Sequence, residues 1–145
     1  MAEIRLTFTH RPNLLRIYVG ALMVRRKGLK PGEALPMGAS ECPQLAIDRE
    51  HLQSFLEITG AEGLPITYPE LLVFPFHMPL IGHKAFPLPY VSMMQIRNHM
   101  VHYRPLTGTD RLDFSCRIAG ERAAARGLEM DLHSVFGCDG QTVWE

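Results

Sequence analysis

The stretch TYPELLVFPFHMPLIGHKAF, from Thr67 to Phe86, decides the fold of this chain. It is almost wholly apolar and contains three prolines, at positions 69, 75 and 79. Proline lacks a backbone N–H and its ring clashes inside a helix, so one long regular helix cannot occupy the stretch without kinks. We therefore predict a short helix from about Pro75 to Gly82. Because this helix is apolar on every side, we expect it to be buried.

After Pro89 the sequence changes to alternating apolar and polar residues, the pattern of strands. The segments with this pattern are Val91–Tyr103, Arg111–Ile118, Gly127–Phe136 and Thr142–Trp144. Cys138-Asp139-Gly140 lies between the last two segments and is a hairpin turn signal. Helices followed by an antiparallel meander predict an α+β fold with a sheet packed on helix.

Two further helices are predicted ahead of the apolar stretch. The first runs from Pro12 to Lys27, since proline suits a first helical turn and Gly28 suits the position just past the end. The second is capped by Asp48 and runs to about Thr59. Residues 28–46 contain several glycines and prolines and are interpreted as a connector. We divide the chain into an N-terminal basic helix with its connector, 1–46, and a main domain, 47–145.

Composition predicts one soluble globular domain, because the chain has 145 residues and is 46% hydrophobic. Its 15 basic and 15 acidic residues balance, but residues 1–30 contain seven basic residues and one acid. The predicted basic helix fits either a membrane-surface or anionic-ligand role, or packing on its own domain with solvated charges.

The cysteines and the apolar runs indicate a cytoplasmic protein. Three widely spaced cysteines argue against a disulfide framework or a zinc site. Leu14 to Val24 is too short to span a bilayer, is interrupted by Arg16, and is followed by no cleavage site for a signal peptidase. No phosphate-binding loop or nucleophile elbow occurs, and nucleic-acid binding is not expected.

Several segments of the sequence resemble one known family, the MaoC-like acyl-thioester hydratases and dehydratases. The segments are TYPELLVFPFHMPLI, FPLPYVSMMQIRNHM, and RPLTGTDRLDFSCRI followed by RGLEMDLHSVFGCDGQTVWE. They look like the N-terminal half of double hot-dog members, and the resemblance covers about Ile47 to Glu145. It implies a hot-dog fold, an antiparallel sheet wrapped around a central helix, preceded here by the N-terminal helix. It also implies acyl-CoA or acyl-carrier-protein thioesters as ligands, bound between two paired folds.

The catalytic motif of that family, D-x-N-P-x-H, is missing from this chain. The family's Asp and His activate the water that adds to an enoyl double bond, or run the reverse reaction. The corresponding segment is Ile66-Thr67-Tyr68-Pro69-Glu70-Leu71, with Ile66 in the place of the Asp and Leu71 in the place of the His. Neither side chain can move a proton. The resemblance implies that the active pair comes from a second half or a separate subunit.

Other residues are candidates for substrate contact or chemistry. His77 could be a base in the acyl pocket or a hydrogen-bonded core histidine, and Glu70 could be a lone acid or base or a solvated carboxylate. Arg97 could bind a thioester carbonyl or a CoA phosphate, or form a structural salt bridge. The candidate substrate-binding residues are Tyr68, His77, Met78, Arg97 and Asn98. No metal site is predicted, since His99 and His102 would face opposite sides of a strand.

Three functional hypotheses remain open from the sequence. The first is a non-catalytic or degenerate subunit that binds acyl thioesters beside a catalytic partner. The second is an active hydratase, dehydratase or thioesterase that uses residues such as His77 or Glu70. The third is a membrane-surface or structural protein that uses the basic helix. No cofactor is expected beyond the thioester ligand, and a homodimer or a heterodimer with a catalytic hot-dog subunit is predicted.

Overall fold

A computed structural model describes residues 3–125 and 127–145 of the chain. The elements in order are β1 (Glu3–Thr7), α1 (Leu14–Met23), β2 (Met37–Ala46), α2 (Arg49–Thr59), α3 (Tyr68–Gly82), a 3-10 turn (Tyr90–Ser92), β3 (Arg111–Ala124), β4 (Gly127–Cys138) and β5 (Gln141–Trp144). The five strands form one sheet in the order β1-β2-β3-β4-β5. The predicted α+β class is confirmed.

The sheet is antiparallel except at one edge, where β1 pairs parallel with β2. Burial alternates along β3, where Leu112, Phe114 and Cys116 are buried and the residues between them are exposed. The buried side chains face α3, which contacts β1, β2 and β3. One face of the sheet therefore packs on the central helix and the other faces solvent.

The central helix is buried as predicted, but the predicted start near Pro75 is wrong. Helix α3 begins at Tyr68 and continues through Pro75 and Pro79 to Gly82. A proline inside a helix costs about 3 kcal/mol. Burial of nine side chains of this helix, including Phe76 and Leu80, offsets that cost. Tertiary packing thus overrides the local preference that had suggested a short helix.

The predicted strand from Val91 to Tyr103 is also wrong for most of its length. Residues 93–100 form neither helix nor strand, and they follow the 3-10 turn. Only the end of the segment pairs, with the Val101 N–H donating to the Glu145 carbonyl at 2.7 Å and a bridge between His102 and Trp144. The alternating pattern is present, but residues 93–100 have no neighbouring strand in the described part of the chain.

The interpretation of residues 28–46 as a connector is wrong for its second half, because residues 37–46 are strand β2. The sequence pattern also missed β1, which precedes the N-terminal helix. The boundary between residues 46 and 47 as a division into two regions stays a prediction. Strand β2 escaped notice because Gly38 and Pro43 are uncommon inside strands.

The remaining predicted elements are confirmed, with shifted ends. The Asp48 side chain accepts from the N–H groups of Glu50 and His51, and Gly60 ends α2 in the left-handed region, with φ 68°. Strands β3 and β4 contain the two predicted segments and extend beyond them. Asp139 and Gly140 both have positive φ, 52° and 77°, as a type I′ hairpin turn requires.

The N-terminal helix α1 is fastened to the end of α3. Arg26, just beyond α1, donates to the carbonyl oxygens of Gly82 at 2.7 Å and Phe86 at 2.8 Å, and also to that of His83. A guanidinium in this place satisfies carbonyls left without helical partners and interacts favourably with the helix dipole. In the described part of the chain, no helix is both long and apolar enough to cross a membrane.

Candidate functional site

The turn that leads into α3 is held rigidly from both sides. The Trp144 indole N–H donates to the Ile66 carbonyl at 3.0 Å, which ties this turn to the end of β5. Tyr68 is completely buried, and its hydroxyl lies 2.9 Å from Nδ1 of His51 on α2. Burial raises the pKa of Tyr68. The predicted role of Tyr68 in substrate binding stays a prediction, and its burial favours a structural role.

An apolar strip is exposed at the start of α3. It consists of Ile66, Leu71 and Phe74, all of which are exposed although the rest of this segment is largely buried. Leu71 and Phe74 are three residues apart, so they share one face of the helix. Ile66 and Leu71 are the residues in the places of the family's catalytic Asp and His. The surface that would carry the reacting groups is therefore apolar.

A polar pair lies further along the same helix. His77 Nε2 is 2.6 Å from the Ser134 hydroxyl of β4. Burial lowers the pKa of His77 to about 4, so the imidazole is neutral at pH 7. This histidine is the hydrogen-bonded histidine that the sequence had offered as one alternative, and its contact is with the sheet.

Ser134 belongs to a row of small polar side chains on the inner face of the sheet. In register, Ser134 lies opposite Cys116 of β3, and Cys116 lies opposite Ser40 of β2. All three are buried, and the Ser40 hydroxyl has no hydrogen-bond partner among the described residues. Burial raises the pKa of Cys116 to about 11, which keeps the thiol protonated and unreactive. The row is therefore unsuited to nucleophilic chemistry by the thiol.

Glu70 and His77 do not form an acid–base pair. They share a face of α3, because seven residues are close to two full turns, but they lie roughly 10 Å apart along the axis. Phe74 stands between them on that face. Glu70 is half-buried, and its carboxylate contributes to the raised pKa of Cys116. A ligand bridging both groups would have to cross the apolar strip.

The other candidate residues lie apart from this strip. Met78 is 3% exposed and belongs to the core. Arg97 and Asn98 are exposed in the segment 93–100, away from any helix or strand. No cluster of three or more potential metal ligands occurs among the residues that the structure describes. The ligand-binding roles of these residues stay predictions.

Ser134 is the residue that the sequence analysis missed. Its position was readable from alternation, since Leu132 and Phe136 on the same strand share its face. A buried hydroxyl requires a hydrogen-bond partner. The identity of that partner was not readable, because His77 is 57 residues away along the chain.

Comparisons with known proteins agree with this fold. No protein-family model matches the chain. Over 135 residues, which is 91% of its length, the chain is 30% identical to 3-hydroxyacyl-thioester dehydratase X of Mycobacterium tuberculosis. The crystal structure of HtdX from that organism matches with a TM-score of 0.67, at 28% identity over 73% of this chain. The chain spans about half the length of this relative, 47% in each comparison.

The sheet, the buried central helix and this structural match define a hot-dog fold. The resemblance to the MaoC-like family is confirmed, and the chain is a hot-dog protein similar to 3-hydroxyacyl-thioester dehydratases. It is similar to about half of such a protein, so what the whole relative does is not thereby established for this chain.

Proposed function

We propose that this chain is the non-catalytic half of an acyl-thioester-binding pair of hot-dog folds. Its role is to form one wall of the acyl site beside a partner that carries the catalytic Asp and His. The observation that supports this most directly is the exposed apolar strip, formed by Ile66 just before α3 and by Leu71 and Phe74 on its first two turns. Side chains that cannot transfer a proton stand at the two positions where the family's motif has its reacting groups.

The apolar strip suits an acyl chain. The three side chains are 39–41% exposed, and burying that remaining area against a ligand contributes about 0.6–1.2 kcal/mol per side chain. The ligand class is an acyl-CoA or an acyl-carrier-protein thioester. Dehydration of a 3-hydroxyacyl group needs only acid and base groups, so the proposal includes no cofactor and no metal.

The partner in this proposal is a second hot-dog fold, either another copy of this chain or a catalytic subunit. Residues 93–100 alternate in the manner of a strand but are unpaired, and they lead directly into the residues that pair with β5. Met94 and Ile96 in this segment are exposed. An exposed apolar segment beside a sheet edge is a natural place for another strand to add.

The test is binding without turnover. We expect the purified chain to bind an acyl-CoA analogue by calorimetry and to leave crotonyl-CoA unchanged. Leu71→Asp should weaken binding, whereas Ile58→Asp, an exposed change on α2, should not. Adding a hot-dog subunit that carries the D-x-N-P-x-H motif should give a mixture that hydrates crotonyl-CoA. Hydration of crotonyl-CoA by the chain alone, or no binding of the analogue, would contradict the proposal.

The second candidate is catalysis by His77, supported by its short hydrogen bond to Ser134. A general base works best when its pKa is near the operating pH, and a pKa of about 4 makes this imidazole a weak base at pH 7. The non-catalytic role is therefore the better supported. Turnover by the unaltered chain that is lost in His77→Gln would favour catalysis by His77 over the non-catalytic role.

A further inference from the structure

The outer face of α1 carries an apolar stripe that is largely exposed to solvent in the described part of the chain. Leu15, Val19, Leu22 and Met23 are 75%, 55%, 64% and 83% exposed. Their spacing of four, three and one residues places them on one side of the helix. A ten-residue helix that leaves four large apolar side chains in water has a second surface to bury.

The opposite side of α1 is already used. Ala21 is buried against α3, where a side-chain carbon added at Gly82 would lie 3.4 Å from the Ala21 methyl group. Tyr18 packs on Tyr90 with ring centres 5.6 Å apart. Packing on its own domain therefore accounts for one face of the helix and leaves the apolar stripe unexplained.

Basic residues are frequent in the segment that carries the stripe. No Asp or Glu occurs between Glu3 and Glu33, a stretch that contains seven basic residues. Arg26 is turned inward onto the end of α3, but Arg16, Arg25 and Lys27 are exposed and form no ion pair with a described residue. The charge around the stripe favours an anionic partner.

We propose that the outer face of α1 docks on an anionic phospholipid surface. We call the docking residues the basic apolar face: Leu15, Arg16, Val19, Leu22, Met23, Arg25 and Lys27. The helix lies in the plane of the membrane, with the four apolar side chains at the boundary of headgroups and acyl chains and the cations against the phosphates. Arg16 is about 20° around the helix from Met23, close enough to extend from the rim of the stripe toward the phosphates.

A lipid surface fits this face better than a second copy of the chain does. A two-fold contact through the basic apolar face would bring the same patch of each copy together. Two patches that both carry Arg16, Arg25 and Lys27 would then be brought close together, and their like charges repel. An anionic membrane supplies an apolar phase and negative charge together, and it needs no matched shape. This placement goes beyond the proposed function and holds whether or not the chain binds thioesters.

The experiment is co-sedimentation of the full chain with vesicles. Vesicles of equal parts phosphatidylcholine and phosphatidylglycerol should bind the chain, and pure phosphatidylcholine should bind it far less. Each cation near an anionic surface contributes roughly a fivefold gain in partitioning, so replacing Arg16, Arg25 and Lys27 with Ala should lower it about a hundredfold. High salt should have a similar effect.

The apolar contribution is tested separately, with Leu22→Glu and the milder Leu22→Ser. Leu22 is exposed, so circular dichroism should show an unchanged fold for both variants while vesicle binding falls. Matched controls on α2 are Ile58→Glu and Arg49→Ala, which should bind as the unaltered chain does.

The proposal is overturned if anionic vesicles do not bind the chain, or if the variants of α1 bind as well as the controls. It is also overturned if Leu22→Glu leaves vesicle binding intact but reduces the mass in light scattering, since a second copy would then occupy the face. Binding of an acidic protein with no binding to vesicles would assign the face to a protein partner instead.

Discussion

At the scale of single residues, His77 links acidity to stability. Burial places its pKa at about 4, below the ordinary value of 6.5, so the unfolded chain binds this proton more readily than the folded chain. The free energy of unfolding should therefore be unaffected by His77 above about pH 6.5 and should fall as the pH drops toward 4. The full loss is on the order of 3 kcal/mol.

Urea denaturation at pH 7 and pH 5 measures this effect. His77→Gln keeps a polar side chain near Ser134 and removes the titrating group, so the difference in unfolding free energy between the two pH values should shrink. The exposed His99→Gln serves as the matched control and should leave that difference unchanged. An equal acid sensitivity in His77→Gln and the unaltered chain would show that His77 is not the group responsible.

Met78 belongs to the core, whereas Phe74 belongs to the proposed wall of the acyl site, so substitutions at the two positions should have different effects. The sequence suggested Met78 as a substrate-binding residue, but this residue is 3% exposed while Phe74, one turn earlier, is exposed. We expect Met78→Ala to lower the free energy of unfolding by about 2–5 kcal/mol and to leave the relative affinity for long and short acyl-CoA unchanged.

Phe74→Ala should do the opposite, weakening long-chain binding with little change in the melting temperature. Thermal melts and binding isotherms on both variants measure these effects. Selective loss of long-chain binding in Met78→Ala would instead support a substrate-binding role for Met78.

The sequence predicted some of this site and could not predict the rest. Ile66 and Leu71 were identified because the family's motif has a fixed spacing, and that spacing can be read directly from the sequence. The contact between His77 and Ser134 depends on how α3 crosses the sheet. No local sequence pattern predicts that crossing. Burial of Met78 rather than Phe74 also depends on the rotation of α3 about its axis. An apolar helix gives no amphipathic signal for that rotation.

At the scale of elements, Arg26 fixes the junction between α1 and α3. It donates to three carbonyl oxygens at the end of α3, and hydrogen bonds to charged groups contribute more than neutral ones. Arg26→Ala leaves these carbonyls without that donor, so we expect the free energy of unfolding to fall by about 1.5–3 kcal/mol. Chemical denaturation gives the value.

The neighbouring Arg25 is the control for this change. It is exposed and forms no hydrogen bond or ion pair with a described side chain, so Arg25→Ala should alter stability by no more than about 0.5 kcal/mol. Equal effects of the two substitutions would mean that general charge, and not the contact with α3, explains the result.

The errors in predicting elements have a common cause. Two prolines suggested a helix that starts late, but burial of α3 among β1, β2 and β3 outweighs their cost. Residues 93–100 have a strand pattern but form no strand, because pairing requires a neighbouring strand and none of the described residues provides one there. Local patterns describe what a segment prefers, and the partner available in three dimensions decides whether that preference is met.

At the scale of the whole molecule, the α+β class was predictable because several independent signals agree, whereas the hot-dog fold was predicted only from the resemblance to the MaoC-like family. The apolar stretch, the strand repeats and the hairpin at Asp139 all fit one sheet on one helix. The parallel pairing of β1 with β2 was not predictable, since the partners are far apart in sequence and neither has a strong strand pattern. Segment 93–100 has the pattern of a strand but pairs with no strand among the described residues, and one hot-dog fold by itself does not explain this.

The last prediction follows from that segment. If residues 93–100 pair with the same segment in a second copy of this chain, the chain alone should form a homodimer, and light scattering at high micromolar concentration should give twice the monomer mass of 16.4 kDa. Ile96→Asp places a charge in the pairing edge and should restore the monomer mass, because inward charges block the addition of a strand. Ile58→Asp changes an exposed isoleucine on α2 and should remain dimeric. A monomer mass for the unaltered chain, or a dimer of Ile96→Asp, would contradict pairing through this segment.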